Sequence, residues 1–205
     1  MLDRVSMTIQ KYNQSADEYA KGIAMRLPKK ELDIFIKLLP KSAKVIEIGS
    51  AGGRDTHYLH ENGMEVTGID LSEELTKIAR KYNPEVTFQI CDMRKLTFEG
   101  SSFDGIWASA VFHHLDRVDM LPTLQEWSRV LRPNGIIYLS TKMGKGNWHG
   151  KDALSVGQER EFTLLMPEEL GEMFNIVNFK KISLITEKDS TRDIYWIRAF
   201  YRKYG

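Results

Sequence analysis

Short apolar runs alternate with stretches of helical periodicity through the middle of the chain. The apolar runs predict five strands, at Lys44–Ile48, Met64–Asp70, Val86–Cys91, Phe103–Ser109 and Ile136–Thr141. The amphipathic stretches between them predict helices at Arg54–Asn62, Ser72–Tyr82 and Asp119–Leu131. Alternating strands and helices are typical of a parallel sheet with right-handed crossovers. Near-continuous apolar runs also favour strands that are buried on both faces.

The two ends of the chain have different patterns. Residues 1–42 predict a helical cap over the open end of the sheet. Residues 143–158 hold four glycines and little periodicity, and they predict a long mobile loop within a lid-like insertion over 143–165. Pro at a first helical turn predicts a helix at Pro167–Val177. The last two predicted strands form a terminal hairpin, at Lys181–Thr186 and Ile194–Tyr201.

Composition adds few restrictions. The chain has 205 residues, with 29 Lys and Arg against 28 Asp and Glu, so the total charge predicts neither nucleic-acid nor membrane binding. The single cysteine, Cys91, permits no internal disulfide, which suits a reducing cytosol. Met1–Asn13 lacks the apolar core of a signal peptide, and no segment approaches the ~18 apolar residues of a membrane span. A soluble, cytoplasmic, single-domain protein is expected.

The stretch "VIEIGSAGGRD", Val45–Asp55, places a loop of small residues between the first strand and its helix. In open α/β sheets, ligands bind at such carboxyl ends. A Gly-x-Gly-x-x-Gly dinucleotide fingerprint starting at Gly49 fails, because Ala51 and Arg54 occupy the second and third glycine positions. The Gly-Lys-Ser/Thr ending of a phosphate-binding P-loop is also missing. The loop therefore predicts a flat or small ligand without a pyrophosphate.

Acidic residues follow the next two strands. Asp70 ends the second strand, where a carboxylate can accept hydrogen bonds from both hydroxyls of a ribose. Asp92 follows the third strand, where it can accept from an adenine amino group while Met93 packs against the ring. Glu47 lies within the first strand; a buried carboxylate is costly unless paired, so it either orients the loop or faces an ammonium group.

This ordered set resembles the class I S-adenosylmethionine-dependent methyltransferases. "VIEIGSAGGRD", "VTGIDLSEELTKIAR", "FQICDMRKL", "FDGIWASAVFHHL" and "EWSRVLRPNGIIYLS" are similar to that family's successive motifs, although Ala51 replaces the usual central glycine. The resemblance implies a Rossmann-like, doubly wound α/β sheet of seven mostly parallel strands with one antiparallel, and S-adenosyl-L-methionine as cofactor. The implied cofactor-binding residues are Tyr12, Tyr19, Glu47, Gly49, Ser50, Ala51, Gly53, Arg54, Asp70, Leu71, Asp92, Met93 and Ala108.

Several of these residues have an ordinary alternative. "KYNQSADEYAKGI" resembles the helix that small-molecule members place over the cofactor, but Tyr12 and Tyr19 are equally explained by helix packing. Arg54 either reaches the cofactor carboxylate or is a solvated first-turn residue. His113 and His114, at the rim after the fourth strand, are candidate catalytic residues, since histidine titrates near neutral pH; alternatively they pack and cap the loop.

Other residue types suggest less chemistry. No acidic or histidine cluster has metal-site spacing, so no metal is predicted. Cys91 and Trp107 are expected in the core. Trp148 and His149, within the glycine-rich segment, either close over a substrate or lie on the surface by chance.

The motifs leave the methyl acceptor open. A small molecule is the leading prediction. Strand four is followed by Ala108–Val111 rather than Asn/Asp-Pro-Pro-Tyr/Phe, which argues against methylation of nucleobase amines. "SAVFHHL" and "DIYWIRAFYRK" are similar to tRNA wobble-uridine methyltransferases, which makes tRNA an alternative acceptor. The basic residues that could bind RNA are Arg192, Arg198, Arg202 and Lys203. A non-catalytic cofactor-binding module is the third reading.

Overall fold

Seven strands form one sheet in the computed structural model, which describes residues 4–151, 157–190 and 193–205. The strands of this sheet are β1 (Lys44–Ile48), β2 (Glu65–Asp70), β3 (Thr87–Ile90), β4 (Phe103–Ser109), β5 (Leu131–Met143), β8 (Phe179–Lys188) and β9 (Tyr195–Lys203). A separate antiparallel pair consists of β6 (Asn147–Gly150) and β7 (Arg160–Thr163). The helices are α1 (Arg4–Gln14), α2 (Ala16–Ala24), α3 (Lys29–Leu38), α4 (Arg54–Glu61), α5 (Glu73–Tyr82), α6 (Arg117–Val130) and α7 (Pro167–Ile176).

The strand order is β3-β2-β1-β4-β5-β9-β8. Strands β1 to β5 pair in parallel, whereas β9 runs antiparallel to both β5 and β8. The predicted doubly wound sheet with one antiparallel strand is therefore confirmed. The antiparallel strand is not the edge, because β9 lies between β5 and β8. The carboxyl ends of β1, β2 and β4 meet at one rim of the sheet.

Both faces of the sheet are buried, as the apolar runs predict. Alternation along β1 sends Ile46 and Ile48 into a core shared with α6 and α7, and sends Val45 into a core shared with α3 and α4. Trp107, predicted to be core, is fully buried on the second face and stacks on Tyr138 with ring centroids 4.0 Å apart. Because both faces of the sheet are covered, the carboxyl ends of the strands are the part of the sheet that remains open to a ligand.

The N-terminal segment is helical, as predicted, but the stretch around Tyr12 and Tyr19 is not one helix. The chain breaks at Ser15, whose hydroxyl donates a hydrogen bond to the Lys11 carbonyl 2.9 Å away. Serine competes with the helical backbone in this way, and α2 begins at the next residue. Both α1 and α2 pack against α5, on either side of this break.

The prediction of a structureless loop over residues 143–158 is wrong for part of it. Strand β5 extends to Met143, and Asn147–Gly150 pairs with Arg160–Thr163 as the β6–β7 hairpin. Trp148 lies directly opposite Phe162 and stacks on it, with centroids 5.4 Å apart and an interplanar angle of 18°. Cross-strand aromatic pairs of this kind stabilise short hairpins. The central part of the predicted loop, residues 152–156, lies outside the described residues.

Candidate active site

The loop between β1 and α4 is tightly constrained. Gly49 has φ +73°, and a Cβ there would lie 2.6 Å from Cγ2 of Val111. Gly53 has φ +82°, and a Cβ there would lie 2.7 Å from Nδ2 of Asn83. Ala51 also takes a positive φ of 47°, which strains a residue with a Cβ. Gly49 and Gly53 are therefore required by conformation and by space, and the loop presents mainly backbone to the rim.

Asp70 is held at the end of β2 by this loop. Its Oδ2 accepts a hydrogen bond from the Ala51 amide at 2.9 Å, and its Oδ1 accepts one from the Ser72 amide at 2.8 Å. Burial raises the pKa of Asp70, and these backbone hydrogen bonds oppose that rise. Each carboxylate oxygen retains a second lone pair. The side chain is therefore fixed in place and can still accept hydrogen bonds from a ligand.

Two of the predicted cofactor-binding residues, Asp92 and Ala108, do not line the cavity beside Asp70. Asp92 is bound by Arg94, whose Nη2 donates to Oδ2 at 2.7 Å and whose Nε lies 3.1 Å from Oδ1. Ala108 is fully buried in the apolar core, on the face of β4 that includes Ile106. Strand alternation explains this placement, because the residues that reach the rim are the next ones, Ser109 and Ala110.

Glu47 and Arg54 belong to a buried charged group below the loop. Glu47 is only 3% exposed and accepts a short hydrogen bond from the Thr56 hydroxyl. Burial, and then the negative charge of Asp55, hold the pKa of Glu47 well above its usual range, which favours the neutral carboxylic acid. Arg54 donates from Nε to Asp55 Oδ1 at 2.6 Å and from Nη1 to the Ile23 carbonyl at 2.9 Å. The solvated alternative for Arg54 is therefore wrong.

Tyr12, Tyr19 and the two histidines meet above the rim. The tyrosine rings pack edge to face with centroids 4.8 Å apart, and the Tyr12 hydroxyl lies 3.0 Å from Nε2 of His114. His113 is 2% exposed and packs edge to face on Phe162. Burial, followed by the neighbouring charges of His114 and Lys142, lowers the pKa of His113 well below its usual value. His113 is therefore neutral at neutral pH.

The sequence analysis did not identify two cations at this site. Arg160, 2% exposed, places its guanidinium carbon 4.2 Å from the ring centroid of Tyr12 and donates from Nη1 to the Tyr12 hydroxyl at 3.2 Å. Lys142, 4% exposed, places Nζ 3.4 Å from the ring centroid of Phe162. The alternation of residues 160–163 is the only sequence signal for β7, and composition gives no sign that its arginine is buried.

Two adjoining cavities open at the rim. The larger, about 740 Å³, is within the range of small-molecule sites and is lined by Glu47, Arg54, His113, Ser140, Lys142 and Arg160, among others. The narrower, about 80 Å³, runs along Asp70, Leu71, Met93 and His114. Tyr12, Tyr19, Gly49 and Ala51 line both.

The narrow cavity suits a nucleoside chemically, with a carboxylate for the ribose and apolar walls for a base. Its volume is below the ~300 Å³ at which ligand pockets begin. Met93 is buried here beside Cys91, which is core as predicted.

Among the described residues, no group of three or more His, Cys, Asp or Glu side chains could hold a metal ion. Nor does any described helix have the length and apolar character needed to cross a membrane.

Comparison with known proteins gives one consistent family. Residues 46–139 match the methyltransferase domain family. The chain is 33% identical over 144 residues to the biotin biosynthesis bifunctional protein of Cellvibrio japonicus, covering 70% of this chain and 28% of that protein. It is 25% identical over 138 residues to a malonyl-[acyl-carrier protein] O-methyltransferase of Enterobacter lignolyticus, covering 67% and 50% respectively. The chain thus spans half or less of the length of these curated relatives.

A solved structure extends the likeness to the whole fold. The 1,6-didemethyltoxoflavin-N1-methyltransferase of Burkholderia thailandensis, solved with its acceptor and S-adenosylhomocysteine, superposes with a TM-score of 0.77 at 22% identity. The superposition covers 98% of this chain and 87% of that one. Residues 46–139 thus form a methyltransferase domain, and the chain as a whole has the fold of the class I S-adenosylmethionine-dependent methyltransferases.

Proposed function

We propose that the protein binds S-adenosyl-L-methionine and transfers its methyl group to a small molecule held in the larger cavity. The observation that carries this proposal is the junction of the two cavities at Gly49 and Ala51, directly beside Asp70. A ligand whose ribose binds Asp70 reaches the larger cavity through this junction. The cofactor, when bound, supplies an activated methyl group on a sulfonium, so the protein mainly has to align the acceptor.

The cofactor half of the site consists of residues 49–53, 70–72 and 93. Asp70 accepts the ribose hydroxyls, while Leu71 and Met93 flank the adenine. The glycine loop leaves room for the methionine part. Arg54, which lines the larger cavity, and Tyr19, which lines both cavities, bind its carboxylate. Asp92 binds the adenine amine only if it shares its carboxylate with Arg94.

The acceptor half consists of His113, Lys142, Arg160 and Phe162. A proton placed on His113 is disfavoured by its burial and by the surrounding cations, which makes it a poor general base. His114 contacts the Tyr12 hydroxyl through Nε2. We assign both histidines, predicted as catalytic, to shaping the rim where the methyl group is transferred.

A small-molecule acceptor is favoured over tRNA because the basic residues that could bind RNA form contacts within the protein. Arg198 pairs with Glu31 at 3.2 Å and with Glu187 at 3.1 Å. The Lys203 amine donates to the Ser128 and Leu131 carbonyls, and Arg202 donates to the Asn134 carbonyl. These cations are therefore committed within the protein, while Arg192 lies outside the described residues. A cytoplasmic location stays a prediction from the single cysteine.

The experiment is incubation of the protein with cell extract and methyl-labelled S-adenosylmethionine. Label is expected in a low-molecular-mass product. An Asp104→Ala variant, altered at a surface pair with Arg132, is expected to transfer label like wild type, whereas Asp70→Ala is expected to transfer much less. Label in ribonuclease-sensitive material would establish the tRNA reading instead, and cofactor binding without any transfer would establish the non-catalytic module.

A further inference from the structure

Arg160 is a buried cation that forms no ion pair with any of the described residues. It is 2% exposed, it lines the larger cavity, and its guanidinium does not lose its proton in proteins. Nη1 donates to the Tyr12 hydroxyl, but among the described residues nothing accepts a hydrogen bond from Nε or Nη2. Packing on Tyr12 and Tyr19 stabilises the charge only in part. A buried charge is costly unless it is paired and hydrogen-bonded.

The two unpartnered nitrogens lie on the same edge of the guanidinium. That edge forms the fork which binds two oxygens of a carboxylate or phosphate. Arg94 uses the same edge in this protein, where its Nε and Nη2 both contact the Asp92 carboxylate. Arg160 therefore has the fork in place, with no carboxylate of the described residues bonded to it.

Two other arginines near the rim are each paired with an aspartate, whereas Arg26, which also lines the larger cavity, is exposed. Arg4 contacts Asp116 at 2.7 Å, and Arg54 contacts Asp55 at 2.6 Å. The glutamates beside Arg160 in sequence do not reach it, since strand side chains alternate. Glu161 accepts from Asn147 and lies 3.8 Å from Arg4, whereas Glu159 lies 3.8 Å from His149.

A second cation lies at the same cavity. Lys142, at the end of β5, is 4% exposed and lies over the face of Phe162, which follows Arg160 by two positions on β7. The carboxylates that line this cavity include Glu47 and Asp55, which interact with Thr56, Arg54 and Trp107. Two basic side chains, Lys142 and Arg160, thus lie on the β5 and β7 side of the cavity.

We propose that the methyl acceptor is an acid, and that Arg160 binds its carboxylate or phosphate group through Nε and Nη2 in the acceptor half. This inference rests on the proposed function and specifies its substrate class. The anion neutralises a charge that the fold leaves buried, and it anchors the acceptor beside the cavity junction. Arg160 is a binding residue and takes no part in the transfer itself.

The test is calorimetric titration of malonate and inorganic phosphate into protein saturated with S-adenosylhomocysteine. Malonamide, which has the size of malonate without its charge, is the control ligand. At least one anion is expected to bind the wild-type complex while malonamide does not. Arg160→Gln is expected to weaken that anion about tenfold or more, as loss of charge-assisted hydrogen bonds does. Arg160→Lys is expected to retain part of the binding, and Arg202→Gln, at a half-buried arginine that does not line the cavity, all of it.

The competing source of the anion is the cofactor's own carboxylate. Under the proposal, Arg160→Gln binds S-adenosylhomocysteine and 5′-methylthioadenosine, which lacks that carboxylate, as wild type does. A selective loss of S-adenosylhomocysteine binding in Arg160→Gln would overturn the proposal, as would equal binding of malonate, phosphate and malonamide by the wild type. Failure of the wild type to bind S-adenosylhomocysteine at all would instead contradict the proposed function. Thermal unfolding of each variant confirms that it is folded.

Discussion

The two halves of the site are built in different ways. In the cofactor half, Asp70 is satisfied by the amides of Ala51 and Ser72, so the groups that meet the ligand are held by the protein itself. In the acceptor half, Arg160 is held by two aromatic rings and one hydroxyl, and its Nε and Nη2 have no hydrogen-bond acceptor among the described residues. Under the proposed function, the first half is held in place for the cofactor by the backbone, whereas the second half is completed by an anion on the acceptor.

The largest effect expected from this comparison is on the glycine loop. Gly49→Ala combines a left-handed conformation with a Cβ 2.6 Å from Val111 and is expected to lower the free energy of unfolding by about 2–5 kcal/mol. Gly63→Ala is the matched control, because Gly63 has φ +83° with nothing within 4 Å, and only the conformational cost of about 1–2 kcal/mol applies. Urea denaturation measures both. Equal losses would show that Val111 gives way and that the loop is not tightly packed.

The next largest effect is the difference in cofactor affinity between variants of Asp70 and Asp92. Asp70→Ala removes two charge-assisted hydrogen bonds to a ribose, each contributing about 1.5–3 kcal/mol at most, and is expected to weaken S-adenosylhomocysteine about 100-fold or more. Asp92→Ala is expected to weaken it less than about tenfold, because Arg94 already occupies that carboxylate. Calorimetry at one pH compares them. A larger effect at Asp92 would contradict the assignment of the cofactor half.

The acceptor half is expected to respond to pH through His113. Its pKa is lowered in the folded protein, so below about pH 6.5 the unfolded chain binds a proton that the folded protein does not. Stability is therefore lost as the pH falls through 6.5, by at most about 1.4 kcal/mol per pH unit for this one proton. His113→Gln is expected to make that loss smaller. Glu47 has the opposite sign, since its raised pKa makes the folded protein more stable as the pH falls.

Urea unfolding of wild type and His113→Gln between pH 5 and 8 measures this term, and the wild-type-minus-variant difference cancels the contribution of Glu47. A difference independent of pH would show that His113 titrates normally and is accessible to water.

The smallest effect on the fold is expected in the hairpin. Replacing Trp148 and His149 by alanine removes the stack on Phe162, which contributes about 0.5–1.5 kcal/mol, and leaves the cofactor half untouched. S-adenosylhomocysteine affinity is expected to stay the same, while methyl transfer falls several-fold because Phe162 and Lys142 lose their cover. Unchanged transfer would make the hairpin a connector, and lost RNA binding would revive the tRNA reading. Calorimetry and label transfer supply the two readouts.

The difference between the cofactor half and the acceptor half also explains which residues could be predicted from the sequence. Strands β1 to β4 and Asp70 follow from apolar runs and from local spacing, because the groups of the cofactor half lie within a few residues of strand ends. Arg160 could not be found in this way. Its environment depends on Tyr12, 148 residues away in the chain, and on a hairpin whose strands are four residues each. So few residues give too little periodicity to distinguish a strand from a loop.

The prediction of a loop over the glycine-rich segment is wrong for a related reason. Gly144, Gly146 and Gly150 all have positive φ, and they bend the chain into and along the hairpin instead of leaving it without structure. The burial of a charged residue is likewise decided by packing. The sequence therefore predicts the cofactor and a histidine at the rim, and it gives no indication that Lys142 and Arg160 line the larger cavity.

The central claim is that the rim binds S-adenosylmethionine rather than a dinucleotide. The most direct test is calorimetric titration of the wild-type protein with S-adenosylhomocysteine and, separately, with NAD. Saturable binding of S-adenosylhomocysteine is expected, with binding of NAD at least about 100-fold weaker, a difference of about 2.7 kcal/mol. Ala51 and Arg54 stand where a pyrophosphate would require glycines. Tight binding of NAD with no binding of S-adenosylhomocysteine would contradict the account.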